Sequence, residues 1–164
     1  VLDASVSGDT TGSGLARLDW SLGEEVEAAI VELGANDALR GLPVGTTRVN
    51  LEAIVQRLKA RGIKVLLAGM KAPRNMGDDY AAAFDAIFPE LAAREGTGLY
   101  PYFLEGIPVS AETVLPDGMH PTGKGVALIV EGILPEVEAL IRKVEEARKG
   151  AGPEAGPGAG KSAG

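Results

Sequence analysis

The chain has no cysteine, which excludes disulfides, thiolate metal sites and a cysteine nucleophile and leaves the redox compartment open. It has one histidine, His120, so a multi-histidine zinc centre is excluded as well. No apolar run approaches the roughly 20 residues that a membrane-spanning helix needs, and no positively charged, apolar leader opens the chain. Basic residues are outnumbered, 16 Lys and Arg against 23 Asp and Glu, for a net charge of −7. A nucleic-acid surface needs clustered cations to displace phosphate counterions, so no nucleic-acid partner is expected. There is no internal repeat. There is also no polar lead-in: the chain starts inside an apolar stretch, Val1-Leu2-Asp3-Ala4-Ser5-Val6, and this abrupt start reads as the result of a cut.

What remains is 164 residues with a 45% hydrophobic fraction, enough for one domain with one core. Residues 1–149 are assigned to that domain. Residues 150–164, G-A-G-P-E-A-G-P-G-A-G-K-S-A-G, have almost nothing to bury and are expected to form a disordered tail. Within the domain, short apolar runs alternate with segments of helical periodicity, which predicts an α/β fold with a parallel sheet covered by helices on both faces. Strands are expected at Val1–Val6, Ala28–Leu33, Ile63–Met70 and Leu99–Leu104. Helices are expected around Leu15, Leu18 and Leu22 with Trp20 partly buried, and from Thr46 through Val49, Ile54, Val55 and Leu58 to Arg61-Gly62. A third runs from Tyr80 to Leu91 with a kink at Pro89. The last follows His120-Pro121-Thr122, bends at Pro135, and directs Val126, Ile129, Val130, Ile133, Val137, Leu140, Ile141 and Val144 to one side.

Ligands of parallel sheets bind outside the carboxyl ends of the strands, so the loops there are the places to search. Three carry chemistry: Ser7-Gly8-Asp9-Thr10, Gly34-Ala35-Asn36-Asp37 and Asp117-Gly118-Met119-His120. The three-residue spacing from Asp117 to His120 lets the carboxylate fold back onto one ring nitrogen, the orienting half of a nucleophile–histidine–acid triad; a surface turn capping the next helix gives the same pattern. Asn36 can donate its amide to a developing oxyanion beside a backbone N–H at Gly8, although Gly-x-Asn-Asp is also ordinary turn chemistry. Arg74 and Met76, in the loop after the Ile63–Met70 strand, are candidates to border a substrate pocket.

Order and spacing bind these signals together. S-G-D-T before G-L-A-R-L, then V-E-L-G-A-N-D-A-L-R-G, then D-G-M-H-P, resemble the blocks of the SGNH (GDSL-type) hydrolases, nearest their arylesterase and lysophospholipase/thioesterase branch. A-P-R-N-M-G-D-D-Y-A-A-A-F and Y-P-Y-F-L-E-G fit as well, so the resemblance runs from Val1 to about Ile141. It implies a three-layer α/β/α sandwich, flavodoxin-like. By the same resemblance Gly8 and Asn36 form the oxyanion hole and His120 with Asp117 form the catalytic pair.

The family's nucleophilic serine lies in a G-D-S block one strand–helix unit before the block that holds Gly8. Gly8-Asp9-Thr10 is too near Gly34 to be that block, so Thr10 reads as a turn or helix-capping residue, and Ser7 is disfavoured too. The expectation is therefore a sandwich lacking its first strand and helix, with no nucleophile in the chain and with little or no activity. The resemblance implies hydrolysis of a small-molecule ester or thioester without metal or organic cofactor, and favours a periplasmic or secreted protein. The alternative is a non-catalytic α/β module of the same fold that binds a ligand or partner.

Overall fold

The computed structural model describes residues 1–150. Three strands, β1 (Ala28–Glu32), β2 (Lys64–Ala68) and β3 (Gly98–Tyr100), form a parallel sheet in that order. Ala28 to Glu32 pair with Lys64 to Ala68, and Leu66 to Ala68 pair with Gly98 to Tyr100. The central strand K-V-L-L-A is apolar almost throughout because helices cover both its faces.

Val65 and Leu67, with Val31, meet α3 (Val44–Ala60) through Leu51, Ile54, Val55 and Leu58. Phe84 of α4 (Asp78–Asp85) and Ile87, Phe88 and Leu91 of α5 (Ile87–Glu95) complete this side. Leu66, Ala68 and Tyr100 face the other way, onto Ile133 and Leu140 of α6 (Gly123–Gly150). Each fully buried Leu, Ile or Phe contributes about 1.5–3 kcal/mol, so these two layers dominate stability. Gly132 lets α6 approach β3: a Cβ there would lie 2.4 Å from the Tyr100 hydroxyl. Two further elements flank the site: α1 (Thr11–Ser21), and α2 (Ala35–Leu39) directly after β1.

The expected three-layer α/β/α arrangement is present. Pro89 acts more strongly than a kink. It offers no N–H to the Asp85 carbonyl and its ring crowds that carbonyl, and the helix divides there into α4, ending at Asp85, and α5, starting at Ile87. At Pro135, by contrast, α6 continues without a break.

Val1–Val6 is not a strand. It has no regular secondary structure: a cavity of about 1540 Å³ separates it from the β1 edge that faces it, and among the described residues that edge pairs with no strand. Trp20 is 77% exposed rather than partly buried, since α1 turns Leu15 and Leu18 to the core instead. Val126, Val130 and Ile141 are also about half exposed. Over a three-stranded sheet α6 buries only the narrower stripe Gly125, Ile129, Ile133 and Leu140. The expected tail lies, but for Gly150, outside the described residues.

Candidate active site

The loop after Val6 is held from three sides. Arg17 donates to the Asp9 carboxylate at 2.6 Å and to the Ala4 carbonyl at 2.7 Å, and Arg40 donates to the Gly8 carbonyl at 2.8 Å. Asn36 donates its side-chain amide to the Asp9 carbonyl at 3.0 Å. Gly8 sits at φ +83°, a conformation that side-chain-bearing residues adopt only with strain. Its N–H meets no protein acceptor among the described residues. The Arg17 guanidinium holds the Asp9 carboxyl below its ordinary range.

Thr10 caps α1. Its hydroxyl accepts from the Ser13 N–H while the Ser13 hydroxyl accepts from the Thr10 N–H, a reciprocal capping box. Both hydroxyls are thus committed to the helix start, in line with Thr10 as a capping residue.

Beneath this loop lies a residue that the sequence reading passed over. Asp37, fully buried, accepts from the Thr11 N–H at 2.8 Å, from the Thr11 hydroxyl and from the Thr47 hydroxyl at 3.2 Å. Asn50 adds a bond to Thr11 at 3.1 Å. One carboxylate therefore ties α1, α2 and α3 together and fixes the Gly8 loop relative to Asn36. The available signal was the carboxylate itself, beside Asn36 in the short A-N-D-A-L helix.

The third loop forms the turn that its spacing suggests. Asp117 accepts from the His120 Nδ1 at 2.8 Å and from the backbone N–H groups of Met119 and His120 at 2.9 and 3.0 Å. Those backbone donors, chiefly that of His120, together with the imidazole, pull the Asp117 carboxyl down to about 2. It remains a carboxylate over the whole physiological range and fixes the ring through Nδ1, leaving Nε2 free to exchange a proton. His120 is two-thirds exposed, and the bond to Asp117 is its ring's only hydrogen bond among the described residues. No hydroxyl is bonded to it.

Gly8, Asn36 and His120 line one cavity, the space beside β1. Ser5, Ser7 and Ser21 border it too; the Ser5 hydroxyl bonds to Asp3, and Ser21 accepts from Arg17 at 3.1 Å. Arg74 reaches the cavity but is paired with Asp85 at 2.7 Å. Met76 is absent from the lining and its methyl lies toward Gly41. The structure thus separates the two residues expected to share a pocket wall, because the 3-10 turn Arg74–Met76 projects them in different directions. Glu32, at the end of β1, also faces the cavity, and burial pushes its carboxyl above the usual range. Among the described residues no cluster of His, Asp or Glu is arranged to hold a metal ion.

The chain is similar to known proteins. The esterase TesA of Pseudomonas aeruginosa is 41% identical over 142 residues, 86% of this chain and 71% of the relative. The arylesterase of Vibrio mimicus is 37% identical over 138 residues, 84% of this chain and 69% of the relative. Among solved structures, the psychrotrophic esterase EstA from a Pseudoalteromonas species, inhibited by monoethylphosphonate, superimposes with a TM-score of 0.79 at 31% identity, covering 85% of this chain and 76% of that one. The model of the GDSL-like lipase/acylhydrolase family matches residues 1–128, and the chain belongs to that family.

Proposed function

We propose that this domain is built to hydrolyse carboxylic esters or thioesters by acyl transfer, with His120 as general base and acid, Asp117 as its orienting carboxylate, and the Gly8 N–H and Asn36 amide as oxyanion donors. The observation that carries the proposal is the Asp117–His120 pair, with its ring fixed through Nδ1 on the same cavity as Gly8 and Asn36. Relatives named as esterase, arylesterase and thioesterase/lysophospholipase support the substrate class.

In the step that this geometry serves, a serine oxygen adds to the ester carbonyl while its proton passes to His120 Nε2. The tetrahedral oxyanion is held by the Gly8 N–H and by the Asn36 amide hydrogen not used on Asp9. Collapse breaks the bond to the leaving alkoxide or thiolate, which takes the proton from His120. Water then repeats the sequence on the acyl-serine, releasing the acid.

On this reading none of the described hydroxyls is the attacking group, which is supported by the commitment of Thr10 and Ser13 to the α1 cap and by the lack, among the described residues, of a hydroxyl bonded to His120. The chain by itself is therefore assigned only the residual catalysis that an imidazole and oxyanion donors give without a nucleophile. That same observation favours, as a second reading, a module that only binds in this cavity. Hydrolysis of a chromogenic acetate ester distinguishes the two. A slow, burst-free turnover that falls in His120→Ala and Asn36→Ala but not in Thr10→Val supports the hydrolase site; rates equal to buffer in all forms support the binding module.

A further inference from the structure

Between the loop that carries Gly8 and the helix behind it lies an ion pair with little access to water. The side chains of Arg17 and Asp9 are only 17% and 12% exposed, and the guanidinium Nε donates to the carboxylate at 2.6 Å. Nη1 of the same guanidinium donates to the Ala4 carbonyl at 2.7 Å and to the Ser21 hydroxyl, one turn further along α1, at 3.1 Å. The helix is a fixed platform. Asp37 holds it through Thr11, and at Gly14 it lies so near the end of β1 that a Cβ would sit 2.6 Å from the Leu33 side chain. The Asp9 N–H makes no tie to this platform, since it turns back to the Val6 carbonyl at 3.2 Å.

We propose that Arg17 is a positioning residue for the oxyanion side of the site. By pinning the Asp9 carboxylate on α1 it holds the Asp9 carbonyl against Asn36, and so aims the free amide hydrogen of Asn36 at the reacting carbonyl. The inference rests on the acyl-transfer reading of the site. The Asp9 carbonyl can only accept, so at 3.0 Å it takes the Asn36 NH2 and rejects the amide oxygen. That contact decides which way the amide is turned, and it leaves the second N–H for the cavity that Asn36 lines. Carbonyl and carboxylate of Asp9 share one Cα. A carboxylate released to water therefore lets the Asp9–Thr10 peptide rotate, and the amide with it. Arginine suits this task where lysine does not. Its planar fork meets Asp9, Ala4 and Ser21 from two nitrogens with set directions, whereas one ammonium on a flexible stem cannot reproduce them.

The test reads the Asn36 side-chain amide by nitrogen-15 NMR in the full 164-residue chain. The Asn50 amide is the internal reference, because it bonds to Thr11 on the same helix at 3.1 Å. In the native chain the two Asn36 amide protons should be well separated in shift and slow to exchange. Arg17→Met should collapse that separation and speed exchange at least about tenfold while leaving Asn50 unchanged, and Arg17→Lys should restore only part. An unchanged Asn36 amide in Arg17→Met overturns the proposal. Equal loosening of Asn36 and Asn50 overturns it too, since Arg17 would then be a general support of α1. Turnover of the chromogenic acetate ester supplies the second arm. Arg17→Met should lower kcat about tenfold with KM unchanged, as expected for a misplaced oxyanion donor. In the Asn36→Ala background it should add less than about a twofold loss, because both changes remove the same donor. A loss that persists in full in that background overturns the route through Asn36. If the amide responds as stated while neither Arg17→Met nor Asn36→Ala alters turnover, the positioning of Asn36 by Arg17 stands and the acyl-transfer reading fails.

Discussion

Asp37 is where a single change should cost most. Its carboxylate is fully buried and accepts from the Thr11 N–H, the Thr11 hydroxyl and the Thr47 hydroxyl, which have no other acceptor among the described residues. Asp37→Ala leaves three donors facing an apolar void. Hydrogen bonds to a charged group contribute about 1.5–3 kcal/mol each, and breaking such a buried network by removing one partner costs about 3–5 kcal/mol rather than the full sum. At about 2–4 °C of Tm per kcal/mol for a domain of this size, the melting point should fall by roughly 6–20 °C. Asp37→Asn keeps the volume but turns an NH2 toward donors, so it should recover only part of the loss. Thermal and urea unfolding followed by circular dichroism measure both. A loss below about 1 kcal/mol in Asp37→Ala would refute the claim that this carboxylate holds α1, α2 and α3 in place.

Three further outcomes are expected. Gly8→Ala should lose about 1–2 kcal/mol in urea unfolding, because φ +83° is strained for alanine while Arg40, the nearest group to a Cβ there, stays at 3.8 Å. Glu32 has its folded-state carboxyl raised, so its contribution to stability declines as pH rises from the ordinary carboxylate range through that higher value; Tm against pH should show Glu32→Gln removing this decline and being the more stable form at pH 7. Asp117 is shifted the other way: the stability it contributes is present above the ordinary carboxylate range and lost as pH falls through about 2, and a carbon-13 titration of its carboxyl that finds an ordinary midpoint would contradict the bonded turn.

The layers and most elements are legible in the sequence because they rest on period and punctuation. β2 reads as an apolar run, α3 as a 3.6-residue stripe, and the division between α4 and α5 is announced by Pro89. The Asp117–His120 turn is legible for the same local reason: three residues and one glycine suffice to close it. What depends on a neighbour is not. Val1–Val6 has the composition of a strand but lacks a hydrogen-bonded partner beside it, and Val126 and Val130 follow the helical stripe without a layer to cover them. Asp37 is silent in sequence because its partners, Thr11 and Thr47, come from helices 26 residues before and 10 residues after it. The separation of Arg74 from Met76 likewise follows from a 3-10 turn that no periodicity reveals.

The central claim of the proposed function is that Asp117 and His120 serve as the histidine–acid pair and Gly8 and Asn36 as the oxyanion side of an acyl-transfer site, and that no hydroxyl among the described residues attacks. Incubation of the purified chain with a reactive alkyl phosphonate, followed by peptide mass spectrometry, tests it most directly. The account predicts no adduct on Ser5, Ser7, Thr10, Ser13 or Ser21 above the level seen in His120→Ala. A stoichiometric adduct on Thr10 or Ser7 that disappears in His120→Ala would contradict it.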